Sequence, residues 1–316
     1  MKQAILIMMH NKPEQVMRLV RYFPEDECVC FIHVDQKARF DFDSFKRDIE
    51  GNYSHCVVLT ERYSGVLACW SLVEVTMLLL DFAKEYEKKH GIRFKYFRLL
   101  SGQDYPIRPY EMYRDLLEIE YPRNFIGVEW SAPGNHVEQK FARWRLSWPR
   151  ERYANAHFFK LPSRVLVAIS HVVESMLACI GMKPDKYCAK KGISTAGGAS
   201  WWTISDDFAE YVIGQYKAND LITRISKGIA TPEEAYFQLL YVNSSFYLRE
   251  RDKKHYNLTL CNYGRRDQRV NGHTHPWRLE DYDELIQSDC YFARKFDTEV
   301  DRKILEALDN YIYEKD

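Results

Sequence analysis

The feature that most constrains this chain is the alternation in its first hundred residues between short, almost wholly apolar runs and segments of helical periodicity. Ala4–Met9 (AILIMM), Cys28–Val34 (CVCFIHV), Val57–Leu59 and Tyr96–Leu100 (YFRLL) are too short for stable helices and too uniformly apolar for strands with one wet face. They fit strands buried on both sides. Between them, Lys12–Tyr22 carries Pro13 in a first-turn position and then Val16, Leu19 and Val20 at helical spacing, and Trp70–Tyr86 repeats apolar residues every three or four positions. A helix starting at Phe45 is expected after the second strand, capped by Asp43 or Ser44. A helix near Pro109–Glu118 and a strand at Phe125–Val128 follow. Strands alternating with helices predict an α/β fold, with a sheet covered by helices and a Rossmann-like N-terminal half.

Open α/β sheets bind ligands in the crevice beyond the carboxyl ends of their strands. His10 and Asn11, Asp35, and Ser101–Asp104 stand at those ends. No G-x-G-x-x-G follows the first strand and no G-x-x-x-x-G-K-[ST] occurs, which excludes the usual dinucleotide and P-loop sites. A nucleotide or sugar-nucleotide pocket is expected instead.

The 316 residues suit two ordinary domains or one large one. No repeat, low-complexity linker or Pro/Gly-rich hinge divides them, so a single domain 1–316 is expected, with a nucleotide-sugar-binding half (1–128) and an acceptor and catalytic half (129–316). Lys and Arg total 45, Asp and Glu 45. This balance argues against nucleic acid or an anionic membrane as the dominant partner, and any bound anion must meet a local basic cluster. Mean hydropathy is −0.46. The most apolar long stretch, Val165–Ile180, is interrupted by His171 and Glu174 and is too short to span a bilayer, so at most peripheral membrane association is expected. The N-terminal MKQAILIMM lacks a small-residue cleavage site. A cytoplasmic location is therefore expected, with the eight cysteines reduced; no CxxC pair suggests a zinc ribbon or redox motif.

Three motifs can carry chemistry. Thr231-Pro232-Glu233-Glu234 has the letters of a capping box, in which Glu234 would reach back to the Thr231 amide; alternatively Glu234 is a general base for an incoming hydroxyl. Arg294-Lys295 lies between aromatics in YFARKFD. It is either a pair of surface cations or a diphosphate clamp, each charge contact being worth roughly 4 kcal/mol before desolvation. The basic, aromatic tract Glu138–Tyr153 is a solvated helix face or a binding surface, and Trp201 of SWWTI is a candidate for stacking on a sugar. Asp41-Phe42-Asp43 and Asp281-Tyr282-Asp283 have the spacing of a metal motif but end no apolar strand. His273-Thr274-His275 lacks a third ligand. No metal or other cofactor is expected.

Taken in order, HNKPEQVMRLVRYF, FIHVDQKA, WSLVEVT, FRLLSGQDYPI, SWWTIS, TPEEAYFQLLYVNS and YFARKFD resemble the core-2/I-branching enzyme family, glycosyltransferase family 14, which also contains peptide O-xylosyltransferases. The resemblance runs from Ala4 to about Asp301. It implies a glycosyltransferase-A-like mixed sheet, a UDP-sugar donor, inversion at the anomeric carbon and no metal ion. It also implies Glu234 as catalytic base, with His10, Asp35 and Asp104 on the donor side, Lys295 with Arg294 on the diphosphate, and Lys140 and Arg143 on the acceptor. The family's second diphosphate arginine aligns near Thr259, leaving Arg265 or Arg266 in the neighbouring loop as substitutes. Animal members are anchored Golgi proteins with disulfides, whereas this chain starts at its first strand, as expected for a bacterial-type cytosolic enzyme. The expected activity is transfer of a sugar, N-acetylglucosamine foremost, to a hydroxyl of a glycan or glycolipid acceptor in surface polysaccharide assembly. A UDP-xylose-dependent enzyme and a catalytically silent glycan-binding protein are the alternatives.

Overall fold

The computed structural model describes residues 1–155, 160–262 and 275–313. Arg265, Arg266 and His273 lie outside them. The chain begins with strand β1 (Gln3–Met9), helix α1 (Pro13–Val20), strand β2 (Cys28–Val34), helix α2 (Phe42–Asn52), strand β3 (Cys56–Val58), helix α3 (Trp70–His90) and strand β4 (Tyr96–Ser101). Then come β5 (Asp104–Pro106), α4 (Tyr110–Glu120), β6 (Phe125–Ile126) and β7 (Glu129–Trp130). The second half holds α5 (His136–Phe141), α6 (Ser147–Asn155), α7 (Lys160–Cys179), α8 (Pro184–Lys190), β8 (Ala196–Gly197) and β9 (Trp202–Ser205). It continues with α9 (Asp206–Ala218), α10 (Leu221–Ser226), α11 (Tyr236–Val242), α12 (Ser245–Glu250), β10 (Thr259–Cys261), α13 (Tyr282–Gln287), β11 (Phe292–Arg294) and α14 (Lys303–Tyr313).

The central sheet has six strands in the order β3-β2-β1-β4-β9-β6. β1 pairs in parallel with β2 and β4, and β2 with β3, while β9 joins β4 and β6 antiparallel. The fold is thus α/β with helices flanking the sheet, as the apolar runs predict, and the sheet is mixed, as the resemblance implies. Alternate side chains of each strand enter opposite cores. From β1, Ala4 and Leu6 meet α3, α9 and α11 on one face. Ile5, Ile7 and Met9 meet α1, α2 and α14 on the other. Each fully buried Leu, Ile or Phe contributes about 1.5–3 kcal/mol relative to exposure.

The structure corrects several local expectations. Helix α2 begins at Phe42, capped by Asp41, whose Oδ1 accepts the Ser44 N–H at 3.0 Å. An earlier carboxylate reaches that free amide, so Asp43 and Ser44 fall inside the first turn. SGQDYPI is not all loop: β5 forms a second sheet in the order β10-β11-β5, with Arg294 opposite Asp104. The capping box at Thr231 does not form. Pro232–Glu234 is a single 3-10 turn, Thr231 has a left-handed φ of 45°, and its side chain caps nothing.

Candidate functional site

β1 sits where the strand order changes direction, with β2 on one side and β4 on the other. The loops leaving these strands diverge there and open a crevice. A cleft of about 660 Å³ occupies it, lined among others by His10, Asp35, Ser101, Trp201, Arg294 and Lys295. Strand ends far apart in the sequence therefore converge as expected.

Asp35 organises one wall. Its backbone N–H donates to Met9 O at 2.7 Å, while its carboxylate accepts the N–H of Lys37 at 2.7 Å and of Gly65 at 2.9 Å. This fixes the loop after β3, which Arg62 also ties to Asp35 O at 2.9 Å. His33, buried behind Asp35, accepts the Tyr63 N–H through Nε2 at 3.0 Å, and burial pushes its pKa down to about 4. It is a neutral strut beneath the cleft at physiological pH.

The opposite wall carries the cations. Arg294 ends β11, its guanidinium lies 4.1 Å from the centre of the Trp201 ring, and its Nε is 3.5 Å from Asp104. One of its terminal nitrogens, Nη1, is buried without a hydrogen-bond partner among the described residues. Burial, then Arg294 and Lys12, lowers the pKa of the neighbouring Lys295. Two cations held this close favour an anion between them.

Asp104 does not reach the cleft. It is fully buried, accepting the Ser101 N–H at 2.9 Å and the Ser101 Oγ–H at 3.0 Å, and it faces Arg294. Its expected donor contact is therefore corrected to a supporting one: β5 pairs with β11 and draws the carboxylate inward to orient the arginine.

A second cavity of about 240 Å³ adjoins the first, sharing Met8, Leu67, Leu72, Trp201 and Arg294, and bringing Glu233 and Glu234. Trp201 thus stands at the junction of the two. Glu234 is partly exposed and forms an ion pair through Oε2 with Lys140, which also donates to Thr231 Oγ1 at 2.7 Å. Lys140 lines neither cavity but touches the site through Glu234, although nothing in its helical spacing ties it to that residue. Arg143 is exposed and lines neither cavity.

Glu233 is the residue that sequence reasoning passed over. It is buried, its Oε1 accepts the Ala68 N–H at 2.9 Å, and Oε2 has no partner among the described residues. Burial pushes its pKa up to about 7. Glu151 likewise accepts the Ser71 N–H at 2.9 Å. The start of α3 thereby receives carboxylates from two distant segments: Glu151 takes the Ser71 amide that its N-cap residue Cys69 leaves open, and Glu233 takes the amide of Ala68 just before the cap.

One carboxylate of each acidic motif has a structural partner. Asp41 caps α2, and Asp281 accepts the Arg278 N–H at 2.9 Å. Cys30, His55 and Cys56 bring ligand atoms within 4.8 Å of one another, but they are buried between β2 and β3 and line neither cavity. Thr259 accepts a hydrogen bond from the buried Arg98.

Residues 4–278 match the family described as Core-2/I-Branching enzyme. Among curated proteins, the chain is 22% identical to xylosyltransferase 2 of Rattus norvegicus over 98% of its own length and 33% of the relative's. It is 21% identical to xylosyltransferase oxt of Drosophila pseudoobscura pseudoobscura, over 95% and 32%. The chain thus spans about a third of these relatives. Among solved structures, TarS 1-349 of S. aureus in complex with UDP-GlcNAc overlaps 46% of this chain and 39% of its own at 14% identity, with a TM-score of 0.29. That overlap is too slight to add to the assignment, which rests on a family match covering most of the chain: this protein belongs to the core-2/I-branching enzyme family.

Proposed function

We propose that this protein is an inverting glycosyltransferase that moves a sugar from a UDP-sugar to a hydroxyl of a glycan or glycolipid acceptor without a metal ion. The observation that carries this reading is the junction of the two cavities: Arg294 and Lys295 face the cleft at the strand ends, and Glu234 lies in the adjoining cavity, with Trp201 between. UDP would occupy the cleft, its diphosphate against Arg294 and Lys295 and its nucleoside toward Asp35 and His10. The sugar would extend past Trp201 toward Glu234.

In the reaction, the acceptor hydroxyl attacks the anomeric carbon from the face opposite UDP and loses its proton to Glu234. The bond between that carbon and the diphosphate oxygen breaks, and its electron pair leaves with UDP. Arg294 and Lys295 meet the charge that develops there, as preorganised electrostatic groups do. Lys140 holds the Glu234 carboxylate in place until the acceptor hydroxyl takes over that contact. Glu234→Gln should lower turnover about 100-fold or more with UDP affinity nearly unchanged. Turnover should persist in full after exhaustive chelation. Retained turnover in the variant, or strict Mn²⁺ dependence, would overturn the reading.

The sugar is read as N-acetylglucosamine, consistent with a role in surface polysaccharide assembly in the cytoplasm. The names of the curated relatives favour a second reading, UDP-xylose as donor. UDP release measured against both donors separates them, and release from neither would favour a silent glycan-binding protein.

A further inference from the structure

Helix α7 leaves much of its apolar surface outward, although Leu166, Val167 and Leu177 are half-buried on its inner face. Its buried positions include the polar residues Ser163, Ser170 and Glu174, while Val165, Ile169, Val172, Val173 and Met176 are exposed, followed by Ile180 and Met182 just beyond its end. Their exposures run from 39% to 71%, far more than a helix packed on a core would leave. The polar side has a clear reason. Glu174 accepts the Leu146 N–H at 2.8 Å and pairs with Arg150 at 2.8 Å and Arg145 at 3.3 Å, so it pins α7 to the basic tract. That leaves the apolar stripe from Val165 to Met176 facing outward over about 17 Å of helix. A contiguous exposed stripe of this kind marks an interaction surface.

The charges around the stripe indicate what covers it. Arg164 lies near its start, and Lys183, Lys186, Lys190 and Lys191 follow its end, on and beside α8, against Asp185 as the local acid. α8 turns away from α7 by 47°, and no single helix among the described residues is long and apolar enough to cross a membrane. Pairing with a second copy would set these cations against one another in either orientation. An anionic lipid surface meets both features together: acyl chains take the apolar stripe and headgroups take the lysines. The outward stripe with basic ends points to the inference that α7 and α8 dock this protein on an anionic bilayer, with α7 lying in the plane of the interface. The inference is independent of the donor and acceptor assigned above.

Flotation of the full chain with vesicles tests it. The protein should float with phosphatidylcholine vesicles containing phosphatidylglycerol, much less with phosphatidylcholine alone, and less at high salt. The double variant Ile169→Asp/Met176→Asp should lower partitioning about tenfold or more. Lys186→Glu/Lys190→Glu, which leaves the stripe intact, should remove the dependence on phosphatidylglycerol. No flotation with either vesicle, or equal flotation of wild type and both variants, overturns the inference. So does a wild-type dimer in detergent-free buffer that Ile169→Asp/Met176→Asp converts to monomer, because the stripe would then belong to a second copy.

Discussion

Glu233 and Glu234 are neighbours in the chain with opposite environments. Glu234 meets an ammonium at the edge of a cavity, whereas Glu233 is desolvated, with one carboxylate oxygen unpaired and its pKa pushed up to about 7 from an ordinary 4.5. Between those two values the folded protein retains a proton that the unfolded chain has released. The contribution of Glu233 to stability is therefore present in full below about pH 4.5 and declines as the pH rises through about 7, by roughly 3 kcal/mol in all. Glu233→Gln keeps a carbonyl for the Ala68 N–H and has no charge to lose. Urea unfolding at pH 5 and pH 8 should show the stability of the variant over wild type growing by about 2–3 kcal/mol between them. A difference independent of pH would refute the argument. The letters TPEE identify a site with two carboxyls, but which one is buried depends on the loop holding Ala68, more than 150 residues away in the chain.

At the scale of elements, the long apolar strands were legible because β1, β2 and β4 are buried on both faces, and their ends place His10, Asp35 and Ser101 by topology alone. Strands β5, β10 and β11 were not, because three residues show no period, and each forms only by pairing with a distant partner. The same limit hid the support of Glu234. Gly198 donates its N–H to Glu234 O at 2.9 Å, and a Cβ there would lie 2.2 Å from Gly127 O. Backbone cannot yield as a side-chain tip does, so Gly198→Ala must displace either the Gly127 loop or the Glu234 turn. Overpacking of this kind costs about 1–3 kcal/mol. Turnover should fall about tenfold or more, since small displacements of a reacting group are costly. UDP affinity measured by calorimetry should stay close to wild type, because the cleft wall does not pass through this contact. Wild-type turnover in Gly198→Ala would show that the Glu234 turn tolerates the shift.

Across the whole molecule, the 45 cations and 45 anions cancel, so what matters is where single charges stand. Arg98 is fully buried in the middle of β4, in a run that reads simply as an apolar strand. It donates to Thr203 Oγ1 of β9 at 2.9 Å, to Asn257 O at 2.8 Å and to Thr259 Oγ1 of β10, and its guanidinium lies 4.4 Å from the centre of the Phe292 ring in β11. One side chain thereby joins the central sheet, which shapes the cleft, to the small sheet that presents Arg294. The forked planar geometry matters, because a lysine has one nitrogen and cannot reach acceptors in β9, in β10 and in the segment just before β10 together. Arg98→Lys should therefore fail almost as badly as Arg98→Met. Both leave the Asn257 carbonyl or a buried hydroxyl unpaired, at about 1–3 kcal/mol each. Both should also weaken UDP binding, although Arg98 lines neither cavity, because β11 loses its anchor behind Arg294. Calorimetry on the variants checks this. A stability loss with UDP affinity unchanged would mean that the small sheet holds Arg294 in place by the pairing of Arg294 with Asp104 alone, without the link to the central sheet.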